Sequence, residues 1–168
     1  HQHRIVLDTS QGGRATSWKF DDLELLGRYN DHWVGHGMYP MAPWAGRLRG
    51  NALLDGATVP TVLTMPANFQ EWAIHGLVAE SPVQVDQVAA RQAEVTYSLG
   101  APWPWSGQVR MSWILAPAVL RTQIQISSDE AVFPVVVGWH PWFRRQLSRG
   151  GPAFWELPGG KLAPRDAD

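Results

Sequence analysis

Apolar and polar residues alternate with a period of two along much of the chain, the spacing of half-buried strands. In residues 94–100, Val95, Tyr97 and Leu99 alternate with Glu94, Thr96 and Ser98. In residues 108–116, Val109, Met111, Trp113 and Leu115 fall on one face. Residues 120–128 repeat the pattern, with Leu120, Thr122, Ile124 and Ile126 opposite Arg121, Gln123, Gln125 and Ser127. Three such neighbours predict an antiparallel meander that turns at residues 116–118. Shorter strands are expected at 5–7, 16–20 and 23–26, with Asp21 and Asp22 as a hairpin turn. The valines at 135–137 predict another, ending on His140. A short uncapped helix is expected at 86–94.

Composition narrows the class. The 16 glycines and 13 prolines are spread so evenly that few windows could hold three helical turns. At 168 residues, without repeats or linkers, the chain reads as one all-β antiparallel sandwich domain over 1–168. Fourteen basic and fifteen acidic side chains, with no basic run, argue against a nucleic acid or an anionic membrane as the main partner. An uncharged or weakly charged small molecule fits better. There is no cysteine, which excludes disulfides and thiolate chemistry and is compatible with a reducing cytoplasm, the expected location. No apolar run reaches the ~20 residues of a spanning helix, and residues 1–10 lack the layout of a signal peptide.

Candidate chemistry comes from tryptophan and histidine. Of ten tryptophans, Trp44, Trp103, Trp105, Trp139 and Trp142 stand beside proline or glycine in expected loops, where a flat indole could meet the C–H face of a pyranose. Core packing is the competing explanation for each. His1 and His3 read as a solvated tail; His32 and His36 are spaced i, i+4, but Gly35 and Gly37 disfavour the helix a metal pair needs. No metal site is expected. His75 in "AIHG" and His140 in "GWHP" remain, each beside a residue that constrains the backbone.

Three segments in order, "MAPWAGRLRG" (41–50), "AIHGLV" (73–78) and "VVVGWHPWF" (135–143), resemble the signature segments of the aldose 1-epimerase (galactose mutarotase) family. The opening "GGRATSWKFDDLELL" (12–26) is similar to the family's first hairpin. The resemblance implies a mutarotase-like supersandwich and interconversion of the α and β anomers of a free hexose such as glucose or galactose, without cofactor or metal. It implies that His140 is the general acid to the ring oxygen. His75 would assist beside it, while Arg47, Trp44 and Trp142 contact the sugar. The family's glutamate base and a substrate-binding aspartate match nothing here: Glu156 lies too close behind the last motif, and Asp166 and Asp168 read as loop. The chain is therefore expected to be an N-terminal portion, its sandwich incomplete, with the base outside it. Ala79 stands where relatives often carry arginine, and Gly46 where many carry asparagine. A non-catalytic carbohydrate-binding or sugar-sensing domain on the same fold is the alternative. Oligomeric state is not legible.

Overall fold

The computed structural model describes residues 2–55, 61–129, 132–154 and 156. His1, Asp166 and Asp168 lie outside them. Eleven strands are present among the described residues: β1 (His3–Asp8), β2 (Arg14–Phe20), β3 (Leu23–Glu24), β4 (Met38–Met41), β5 (Ala52–Asp55), β6 (Thr61–Thr64), β7 (Gln84–Ala89), β8 (Gln92–Leu99), β9 (Gly107–Ala116), β10 (Val119–Ser128) and β11 (Gly138–Pro141). Short 3-10 turns occupy Trp33–Gly35, Arg49–Asn51 and Val78–Glu80. No helix of the described residues is long and apolar enough to cross a membrane.

The strands form two antiparallel sheets and a separate hairpin. One sheet runs β1-β2-β4-β11 with β3 on β2, the other β10-β9-β8-β7, and β5 pairs β6. The alternation read from sequence sets the inward face: Val95, Leu99, Val109, Met111 and Trp113 are buried, as the meander requires. Against them pack Ile5 and Leu7 of β1 and Trp139 of β11, so the two sheets share one core. The indoles of Trp113 and Trp139 meet edge to face at 5.2 Å. The expected turns are also present: Asp21 adopts φ 53°, and Ala118 takes φ 60° between Ala116 and its partner Val119.

Two expectations are corrected. Residues 86–94 are not a helix but the β7–β8 hairpin, in register from Gln84↔Thr96 to Ala89↔Gln92. Nine residues without caps cannot pay for helix nucleation, whereas β8 presents a ladder already fixed by β9. The valines at 135–137 are not in a strand and are exposed. Their would-be partner β4 ends at Met41, opposite Gly138, so the ladder begins only there.

Candidate functional site

Each imidazole is delivered by a different kind of backbone. His140 lies on β11, paired with Tyr39 of β4, and alternation sends Trp139 and Phe143 into the core while His140 and Trp142 face the other way. His75 lies on a loop between Phe69 and Leu77. That loop is zipped to residues 46–48: the Leu48 amide donates to the Ala73 carbonyl, and the His75 amide to the Gly46 carbonyl, at 2.9 and 3.0 Å. Gly76 closes against β4's end, with φ 82°; a Cβ there would sit 1.9 Å from the Ala42 carbonyl oxygen, so the residue after His75 has to be glycine.

These two segments bring the rings together. His75 and His140 meet edge to face with centroids 5.1 Å apart. Tyr39 stacks on His140 at 4.8 Å, nearly parallel, and Trp142 flanks it at 5.4 Å. Trp142 is pinned by its indole N–H, which donates to the Val34 carbonyl at 2.6 Å. Arg47 bridges Ile74, next to His75, through the backbone. Its exposed guanidinium makes no hydrogen bond or ion pair with a described residue, and its charge acts on His75. Four of the five residues expected at a sugar site, His75, His140, Arg47 and Trp142, therefore share one neighbourhood.

Trp44 does not join them. It is 4% exposed and stacks on Trp103 at 6.1 Å inside the core. An indole buries roughly 150–250 Å², worth about 4–6 kcal/mol at ~25 cal/mol per Å². That gain draws loop tryptophans inward, and Trp103, 1% exposed, is drawn in the same way. His3 sits edge-on against Phe20 at 4.6 Å. His32 and His36 bracket a 3-10 turn, with the His36 Nδ1 3.1 Å from the His32 carbonyl. A large apolar groove, about 810 Å³ and lined by Trp18, Leu25, Met38, Leu120 and Phe154 among others, contains none of the candidate residues.

Electrostatics divides the two histidines. The Gly46 amide donates to Nδ1 of His75 at 3.1 Å, so that nitrogen carries a lone pair and the neutral ring holds its proton on Nε2. Burial first, then the charges of His140 and Arg47, push the His75 pKa down to about 4. At neutral pH it is thus a fixed N–H donor. His140 is lowered by burial and by Arg14. Its Nδ1 is buried with no partner from another residue. A second half-buried imidazole therefore stands beside a donor whose tautomer is locked.

This half-buried pair makes folding acid-sensitive. Above about pH 6.5 His75 is neutral whether folded or unfolded and contributes no change; below it, only the unfolded ring takes a proton, until the folded pKa of about 4 is reached. Stability is expected to fall through that window, by about 1–2 kcal/mol for His75 once solvent screening of a half-buried ring is allowed for. Urea melts at pH 7.5 and 4.5 measure it. His75→Asn, which keeps an acceptor for Gly46, should show the smaller difference between the two pH values; an equal difference rejects the assignment.

Sequence reasoning missed three supporting residues. Tyr39, fully buried, connects the site to Arg14, whose guanidinium carbon lies 4.6 Å over its ring. Asn68 hydrogen-bonds to Ile74 and Gly76. No local motif announces them, although an arginine inside the expected strand 16–20's approach, "GGRATS", is an unusual place for a charge.

Comparison with known proteins gives a consistent picture. The family model described as aldose 1-epimerase matches residues 6–150. No curated protein matches the chain. Solved structures of similar fold include a provisionally assigned aldose 1-epimerase of Escherichia coli K12, with TM-score 0.70 and 18% identity over 86% of this chain and 53% of that one. A galactose mutarotase-like protein of Clostridium acetobutylicum gives 0.69 and 17%, over 85% and 48%. Another from Lactobacillus casei gives 0.65 and 14%, over 86% and 51%. The chain spans about half the length of these solved proteins.

Proposed function

The chain belongs to the aldose 1-epimerase family, and from that premise we propose that its protein interconverts the α and β anomers of a free aldohexose such as glucose or galactose. The observation that carries the reading is the contact of His75 with His140, with ring centroids 5.1 Å apart, beside the exposed Arg47 and the face of Trp142. Anomerisation needs a proton delivered to the ring oxygen while a base removes one from the anomeric hydroxyl. The C1–O5 bond then breaks, the aldehyde rotates, and the ring closes on its other face with both transfers reversed.

His140 suits the acid role. Burial makes its imidazolium a readier donor than an exposed one, and the same ring, once neutral, takes the proton back on ring closure. The Nε2–H of His75 supports the same oxygen from the side. Arg47 holds adjacent hydroxyls with its fork of donors, and Trp142 lies against the sugar. We place the general base in another part of the full-length protein. No metal or cofactor enters the reaction, and a cysteine-free protein of this kind suits a reducing cytoplasm.

Polarimetry tests the reading. The full-length protein should speed the equilibration of freshly dissolved α-glucose or α-galactose well above the buffer rate. Calorimetric binding of the same sugars without acceleration would replace it with a carbohydrate-binding or sugar-sensing module.

A further inference from the structure

His75 carries a conformation that its own residue type does not favour. Its φ is 58°, in the left-handed region, which for a residue with a Cβ is strained unless the surroundings hold it there. The brace is one carboxamide. The Ile74 amide donates to Oδ1 of Asn68 at 2.9 Å, and Nδ2 of Asn68 donates to the carbonyls of Ile74 at 3.1 Å and Gly76 at 3.3 Å. The backbones of the residues on either side of His75 are thus tied to a single side chain seven residues upstream. Asn68 is itself fixed at the mouth of a tight turn, its amide donating to the Trp72 carbonyl at 3.0 Å.

The same residue reaches the other imidazole. The backbone carbonyl of Asn68 accepts the indole N–H of Trp33 at 3.2 Å. Trp33 packs edge to face on Tyr39 at 5.5 Å, and Tyr39 stacks on His140. We propose that Asn68 is a positioning residue that holds the His75 ring at its place against His140, by bonding the backbone on either side of His75 and anchoring the Trp33–Tyr39 wall behind His140. The role rests on the reading of this pair as the sugar site. Only asparagine's geometry serves: aspartate retains the acceptor for Ile74 but faces two carbonyls with no donor.

Histidine-labelled full-length protein, titrated by NMR well below its melting temperature, tests this directly. In Asn68→Ala the His75 ring should leave its buried place, its titration midpoint rising from about 4 toward the ordinary ~6.5, with loss of the cross-peak to the His140 ring. A global loss of stability alone would lower the melting temperature and leave both readouts unchanged in the folded protein. Asn68→Asp is the second variant should alanine fail to fold; it is read by the cross-peak, because its new charge moves the titration by itself. An unshifted midpoint in the alanine variant, or a retained cross-peak in either variant, overturns the proposal. Mutarotation is followed in parallel, with an expected fall in kcat of roughly 10- to 100-fold and little change in KM. A moved ring with an unchanged rate would instead leave the positioning role standing and remove the sugar-site reading.

Discussion

His140→Ala in the full-length protein is expected to lower the rate of anomer equilibration by about 10²–10⁴-fold, the usual worth of a positioned general acid. KM should change little, because Arg47 and Trp142 are not displaced: Trp142 is held by Val34 and by backbone bonds to Gly37 and Gly27, not by the imidazole. The fold should survive. His140 is half-buried at the end of a four-residue strand, and truncation removes a stacking partner of Tyr39, itself packed on Trp33 and beneath Arg14. Polarimetry on fresh α-sugar, with a thermal melt as control, measures both. Should the variant equilibrate the sugar at the parental rate while remaining folded, His140 is not the acid. In that case His75 could not take its place near neutrality, since its Nδ1 is committed to Gly46 and its pKa lies near 4.

The parts of this structure legible in the sequence are those decided within a few residues. Val109, Met111 and Trp113 alternate with Arg110, Ser112 and Ile114, and that parity alone puts the first set in the core. Asp21 and Asp22 mark a turn by their own tolerance of it. The histidine pair was reachable through motif order, although nothing local says that residues 65 positions apart touch. What stayed hidden depends on distant partners. Trp44 reads as a loop residue until Trp103 is folded over it. The valines at 135–137 have strand composition but no partner strand, because β4 stops at Met41. Asn68 is an ordinary loop asparagine in sequence, and becomes a brace only once His75 has turned left-handed beside it.

Arg14 is the sharpest of these hidden residues, and Arg14→Met is expected to destabilise the protein by about 3 kcal/mol, with a melting temperature lower by roughly 6–12 °C. Its side chain is fully buried, yet its guanidinium meets no carboxylate at ion-pair distance among the described residues. Instead it donates to the carbonyls of Trp33 at 2.6 Å, His36 at 2.8 Å and Ala79 at 3.3 Å, and lies over the Tyr39 ring. Burial lowers its pKa to about 10, partly offset by Tyr39, Asp8 and Glu80, so it stays charged at neutral pH. Two effects oppose each other on replacement. Methionine relieves the desolvation of a cation, which in a well-repacked site can be neutral or favourable. It also strands three acceptors, each worth about 1–3 kcal/mol when buried and unpaired. The second should win, because the carbonyls belong to the segments 33–36 and 79, which the guanidinium ties to β2, and a thioether offers none of them a donor. Arg14→Lys keeps the charge but loses the fork, and should fall between. A methionine variant that melts within about 1 °C of the parent would mean that water has entered to serve those carbonyls, and Arg14 would then be a charge the core tolerates, not the tie that holds the wall behind His140.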